Sequence, residues 1–167
     1  GMMWKHADPE SYLDLPNEHK EFYQSLNYLI TYTSKGGMNY AFTHAGLDPY
    51  EFLDQQNSYD LLWSRKIVRD VIETLDASYD TSYFFDNSFV SVHGHTPNPE
   101  MLVQLPYEIN VDTGCVFDGN LISDFTGELG RGKLSCLIIE ECDKLTQIAV
   151  TKGDHIITIE ELHNDNC

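Results

Sequence analysis

Residues 90–97 read Val-Ser-Val-His-Gly-His-Thr-Pro, and the rest of the sequence is best interpreted around them. The first three residues favour extended backbone, Gly94 permits a positive φ, and Pro97 disfavours continuation of a strand. We therefore expect a β-strand whose carboxyl end presents His93 and His95. A strand that delivers imidazoles into a loop is a suitable frame for a metal site.

A second stretch repeats this arrangement. Residues 40–49 read Tyr-Ala-Phe-Thr-His-Ala-Gly-Leu-Asp-Pro, so an apolar run again ends at a histidine, His44, followed by a small residue and a glycine. Two strand ends that each carry histidine predict a shared site.

The composition limits the class of protein and its partners. The chain has 167 residues, of which 41% are hydrophobic and 22% are charged, which predicts one globular domain spanning residues 1–167. The formal net charge of -17 would repel nucleic acid and anionic membranes, so we expect neither as a partner. Phosphate would also be repelled at long range, so a phosphate-handling site would need local positive charge from a metal or an arginine.

The cysteines and the amino terminus indicate the compartment. The cysteines show no C-x-x-C spacing and are too sparse for a disulfide framework. The amino terminus does not resemble a signal peptide, and no run approaches the ~20 apolar residues of a membrane helix. We therefore expect a reduced, cytoplasmic protein.

The first part of the chain mixes helix and hairpin signals. Residues 17–26 begin with Asn17 as the expected N-cap and predict a short helix. The β-prone runs 27–34 and 38–44 flank a Lys-Gly-Gly sequence, which predicts a hairpin with a glycine turn. Residues 48–57 predict a loop or an irregular helical stretch.

Helical spacing appears once more before the sequence becomes mainly β. Residues 58–74 carry apolar side chains at helical spacing, without predicting one continuous helix, and residues 76–87 show no clear period. The segments that then predict strands or hairpins are 101–104, 107–114, 116–124, 135–140, 145–151 and 156–162. The fold class expected is therefore α/β (α+β), with mixed sheets, flanking helices and a mainly β second half.

Four motifs in a fixed order resemble one family. They are His44-Ala45-Gly46, Trp63-Ser64-Arg65, Gly94-His95-Thr96-Pro97 and Asn110-Val111-Asp112-Thr113-Gly114. Together they resemble the carboxyl-terminal half of bacterial calcineurin-like metallophosphoesterases of the serine/threonine protein phosphatase type, which include the symmetrical diadenosine tetraphosphate hydrolases. The resemblance covers residues 15 to 125 or beyond.

The resemblance implies a fold, a site and a reaction. Two mixed sheets flanked by helices would hold two divalent metals, manganese or iron and zinc, at their strand ends. His44 and His95 would ligate the second metal, and Arg65 would contact the substrate phosphate. Thr113 and Gly114 would shape the nearby loop. A metal-activated water would attack a phosphoprotein or a phosphorylated small molecule.

The sequence departs from the family at the motifs expected upstream. The family's Asp-x-His, Gly-Asp-x-x-Asp-Arg-Gly and Gly-Asn-His-Glu/Asp segments, which supply the first metal's ligands and the general acid, are missing here. The chain thus resembles a half-domain that is inactive, or even metal-free, by itself. We expect it to form a homo-oligomer or to bind a complementing amino-terminal half, because a lone half would leave apolar sheet surface to bury.

The residues leave three functions open. The chain is part of a phosphatase that needs the other half, or a non-catalytic remnant that binds a partner, or an autonomous zinc protein that uses His44, His93 and His95. Asp112 either orients a histidine or begins an Asx turn. The remaining histidines, His6, His19, His155 and His163, are expected to be structural.

Overall fold

The computed structural model describes residues 15–65, 89–98, 102–104, 108–117, 121–122, 129–130, 132–141, 143–151 and 157–162. Its helices are α1 (Asn17–Ser25), a 3₁₀ turn (Leu53–Gln55) and α2 (Ser58–Trp63). Its strands are β1 (Leu29–Thr33), β2 (Asn39–Thr43), β3 (Val90–His93), β4 (Leu102–Gln104), β5 (Glu108–Asn110), β6 (Leu121–Ile122), β7 (Leu129–Gly130), β8 (Lys133–Ile139), β9 (Leu145–Thr151) and β10 (Ile157–Leu162). The expectation of a mixed α/β chain is confirmed.

A five-stranded mixed sheet carries the motifs. Its strand order is β1-β2-β3-β5-β4. Strands β2, β3 and β5 run parallel, whereas the two outer strands pair antiparallel to their neighbours. Because parallel strands end at the same edge of a sheet, the residues that follow β2, β3 and β5 meet there.

The main hydrophobic cluster joins this sheet to a second one. The second sheet is antiparallel, in the order β10-β9-β8. Buried Tyr40, Val90, Val92 and Ile109 share one face of the first sheet and pack with Leu145 at the start of β9. The opposite face of the first sheet carries a smaller apolar cluster that includes Leu61 of α2.

The hairpin expectation is confirmed. Strands β1 and β2 pair in register from Leu29 opposite Thr43 to Thr33 opposite Asn39. Gly37 in the connecting turn has φ 95°, a conformation that favours glycine.

The N-cap expectation for α1 is wrong. Asn17 is the first helical residue, and the N-cap is Pro16, which has extended backbone and no side-chain donor or acceptor. The carbonyl oxygen of Pro16 accepts the N–H of Lys20. Proline suits this position because an N-cap residue needs non-helical backbone.

Other expectations are met in part. The loop at 48–57 contains the 3₁₀ turn, and α2 occupies the start of the helical pattern at 58–74, whose continuation beyond 65 lies outside the described residues. Residues 76–87 also lie outside them. None of the helices in the described part of the chain is long and apolar enough to cross a membrane.

Candidate metal centre

His44 and His95 meet at the edge where the parallel strands end. His44 follows β2 directly, and His95 lies two residues after β3. The His44 Nε2 and His95 Nδ1 atoms are 3.1 Å apart, and the ring centroids are 5.0 Å apart. The structure therefore brings together the two histidines that the resemblance implies as ligands of one metal.

The loop that carries His95 has an unusual backbone. His95 has φ 69°, in the left-handed region that few residues other than glycine adopt. The preceding Gly94 donates its N–H to the His44 carbonyl oxygen at 2.9 Å, which joins the two histidine loops. A Cβ at Gly94 would lie 3.3 Å from the Asp112 Cβ, so the glycine permits a close approach. Strained backbone of this kind is common at functional sites.

Asn110 fixes the His95 loop from the end of β5. Its side chain is buried and donates from Nδ2 to the Thr96 carbonyl oxygen at 2.8 Å. Its Oδ1 accepts the Asp112 N–H at 3.0 Å, and the Asp112 carbonyl oxygen accepts the Asn98 N–H at 2.8 Å. These bonds hold both ends of the loop against the neighbouring strand.

Asp112 forms the Asx turn that was one of its two expected roles. Its Oδ1 accepts the Gly114 N–H at 2.9 Å. Thr113 donates from Oγ1 to the Lys133 carbonyl oxygen at 2.8 Å, and Gly114 has φ 71°. The loop of these three residues thus connects the first sheet to β8.

The short helix α2 brings the third motif to the same place. Its N-cap residue Asn57 accepts the Asp60 N–H, and its Leu61 carbonyl oxygen accepts the Ala45 N–H at 2.8 Å. The Trp63 ring at the end of α2 contacts His95 nearly edge-on, with centroids 5.7 Å apart. Arg65 follows, exposed to solvent.

The electrostatics of His95 connect these elements. Burial lowers the pKa of His95 below its usual value, and the nearby His44 and Arg65 lower it further, whereas Asp112 acts in the opposite direction. Trp63, two residues before Arg65, contacts the His95 ring, so the segment that carries Arg65 lies beside this histidine. A lowered pKa favours neutral imidazole, the form that binds metals.

His93 does not share this site. It is buried at the end of β3, with its Nε2 2.6 Å from the Glu108 Oε1 and its Nδ1 3.0 Å from the Gly94 carbonyl oxygen. Because both ring nitrogens already have partners, neither is available to a metal shared with His44 and His95. The three-histidine alternative is therefore not supported.

Glu108 is the residue that sequence reasoning missed. The neighbouring strands β3 and β5 place Ser91 opposite Glu108, and His93 lies two residues further on the same face. The only signal in the sequence was that Glu108, a charged residue, lies in a short strand that otherwise resembles a buried one. Nothing in the sequence specified the parallel pairing that brings Glu108 to His93.

The contact between His44 and His95 suits a divalent ion. Two nitrogen ligands that lie about 2.1 Å from one ion are about 3.0 Å apart at right angles and about 3.4 Å apart at tetrahedral angles. The observed separation of 3.1 Å lies within this range. Among the residues that the structure describes, no group of three or more His, Cys, Asp or Glu side chains is arranged to hold a metal. The described part of the chain therefore brings only these two histidines together at this position.

Comparisons of the chain with family models, with curated proteins and with solved structures find no match.

Proposed function

We propose that this chain is the carboxyl-terminal half of a calcineurin-like metallophosphoesterase of the bacterial serine/threonine protein phosphatase type. The observation that carries the proposal is the convergence of His44, His95 and the Trp63-Ser64-Arg65 motif at one sheet edge. These residues belong to three separate motifs whose order resembles that family. A resemblance produced by chance would give no reason for the three motifs to meet.

Each of these residues has a role in the proposed reaction. His44 and His95 would hold one divalent ion, such as manganese, iron or zinc, through neutral ring nitrogens. Arg65 would bind the substrate phosphate by charge-assisted hydrogen bonds, which offset the repulsion from a chain of net charge -17. When bound, the metal pair of such a site polarises the phosphoryl oxygens and activates a water.

The proposal assigns the other ligands and the general acid to a second half. A complementing amino-terminal half, on a longer chain or on another subunit, would carry the upstream motifs of the family. The substrate of the assembled enzyme would be a phosphoprotein or a phosphorylated small molecule. A symmetrical diadenosine tetraphosphate hydrolase is the other activity within the same family.

A non-catalytic remnant is the second candidate. It is favoured by the direct contact between His44 Nε2 and His95 Nδ1, since one ring can donate to the other without any metal. Such a protein would bind a partner rather than turn over a substrate. Measured metal binding separates the two candidates.

The proposed location is the cytoplasm. Cys115 and Cys136 are free thiols and both are exposed. Exposed thiols persist in a reducing compartment, whereas an oxidising one favours their conversion to disulfides.

The test of this function is manganese-dependent hydrolysis of p-nitrophenyl phosphate. The assay compares the chain alone with a longer protein, which is expressed together with any upstream reading frame that encodes Gly-Asp-x-x-Asp-Arg-Gly. We expect turnover by the longer product and little by the chain alone. His95→Ala and Arg65→Ala should each abolish it, whereas His19→Ala on α1 should not. Turnover that survives His95→Ala would overturn the proposal.

A further inference from the structure

Strand β1 is an edge strand of the sheet formed by the described residues, and most of its side chains are exposed. It lies at one end of the five-stranded sheet, and β2 is its neighbour in that sheet. Every residue from Ile30 to Thr33 is exposed. The outer side of such a strand presents backbone N–H and C=O groups that can pair with another strand.

The sequence around β1 lacks the usual protection of an edge. Natural edge strands carry charges, proline or bulges that prevent pairing with a second chain. Residues 22–34 contain no acidic, basic or histidine residue, although 22% of the whole chain is charged. They contain no proline either. The strand itself reads Leu-Ile-Thr-Tyr-Thr and is paired with β2 over its whole length without a bulge.

Large apolar side chains accompany this edge. Ile30 and Tyr32 are 53% and 45% exposed, and they lie on the face that carries Tyr40 and Phe42 of β2. The Tyr32 ring stacks on Tyr40, with centroids 6.4 Å apart, so its position is already fixed. Phe22, Tyr23, Leu26 and Tyr28, immediately before β1, are also more than half exposed.

We propose that β1 is a homodimer interface in which two copies pair antiparallel across a two-fold axis at Thr31. In this pairing Ile30 of each copy lies opposite Tyr32 of the other, and the two Thr31 residues face each other. Such aromatic and β-branched pairs stabilise antiparallel strands. The pairing also joins the two five-stranded sheets into one continuous sheet. The inference does not depend on the proposed function.

The charge of the protein favours a second copy at this surface. Two chains of net charge -17 repel each other, and a surface without charged side chains adds least to that repulsion when two copies meet. The uncharged stretch 22–34 meets this condition. Salt should therefore strengthen the dimer, because it screens the overall repulsion and weakens no ion pair in the interface.

Exposed apolar side chains supply much of the area that a dimer needs. A fully exposed aromatic side chain presents roughly 200 Å². Four aromatic side chains between Phe22 and Tyr32, each about half exposed, would then contribute roughly 400 Å², and the half-exposed Leu26 and Ile30 add to this area. A stable interface buries about 800 Å² per partner, and the paired backbones of β1 supply part of the remainder.

Introducing a charged residue at position 31 tests the pairing. Thr31→Lys and Thr31→Glu each place like charges directly opposite each other across the two-fold axis. Sedimentation velocity should show that each variant dimerises at least fivefold more weakly than the wild-type chain, and that a mixture of the two regains the dimer. Recovery in the mixture also shows that both variants are folded. Leu134→Lys, at an exposed position on β8, should not change the association.

Three results would overturn the inference. The first is a wild-type chain that stays monomeric at high concentration in high salt. The second is association that survives both Thr31 variants or is lost in Leu134→Lys, which would place the interface elsewhere. The third is a mixture of the Lys and Glu variants that remains monomeric, which would exclude pairing centred on Thr31.

Discussion

His44 Nε2 lies 3.1 Å from His95 Nδ1, although 51 residues separate the two histidines along the chain. The parallel pairing of β2 and β3 produces this contact, because it brings the ends of both strands to one edge of the sheet. The bond from Gly94 N–H to the His44 carbonyl oxygen then fixes the two loops against each other. The candidate site is therefore a consequence of the sheet topology.

Asn110 should be needed to position His95. Asn110→Ala removes the donor to the Thr96 carbonyl oxygen, a buried bond, and the acceptor for the Asp112 N–H, a partly buried bond. We expect a loss of about 1–3 kcal/mol in the free energy of unfolding, measured by urea denaturation. Metal affinity at His95 should fall as well. Asn17→Ala, an exposed control on α1, should change neither quantity, and an unaffected Asn110→Ala chain would contradict the role.

The buried pair of His93 and Glu108 should be important for stability. Both side chains are fully buried, and Glu108→Ala would leave the His93 Nε2 without its partner. We expect a loss of about 3–5 kcal/mol in unfolding free energy. Glu108→Gln should cost less, because its amide group can still form a hydrogen bond with Nε2, whichever of the two donates. Equal losses in the two variants would show that the hydrogen bond is not what stabilises this position, and exposed Glu51→Ala serves as the control.

The protonation of His95 should make stability depend on pH. Its lowered pKa means that the unfolded chain binds a proton where the folded chain does not. The free energy of unfolding should therefore rise with pH from the lowered pKa up to about 6.5, the usual value for histidine, and this contribution should stay constant above it. His95→Asn should remove this contribution, because the asparagine side chain does not titrate. Asparagine also tolerates the left-handed backbone at this position. A ring NMR titration midpoint above the usual value would contradict the expectation.

Tyr40 should make the protein sensitive to alkali. Burial and the neighbouring Asp143 raise the pKa of the Tyr40 hydroxyl, which donates to the Asp143 Oδ1 at 3.2 Å. The unfolded chain therefore loses this proton first, and stability should fall as the pH rises above about 10. Tyr40→Phe should remove that fall and cost about 1 kcal/mol at neutral pH. Thermal unfolding measured at neutral pH and above about pH 10 checks both expectations, with exposed Tyr50→Phe as the control.

Local patterns predicted the parts of the structure that depend on neighbouring residues. The glycine turn identified the hairpin, and the apolar runs that end at His44 and His93 identified two strand ends. The pairing of His93 with Glu108 was not predictable, because it depends on which strands are adjacent and in what register. The N-cap error at Asn17 has a local cause, since Pro16 supplies the extended backbone that comes before the helix.

The most direct test of the central claim is metal binding by His44 and His95. Trp63 lies close to His95 and reports on it, so its fluorescence can be followed in a Trp4→Phe background while manganese is added. We expect quenching that saturates at one ion per chain. In His44→Ala or His95→Ala the affinity should be at least tenfold weaker, whereas His93→Ala, if folded, should bind normally. A chain that binds manganese equally well without His44 and His95 would contradict the account.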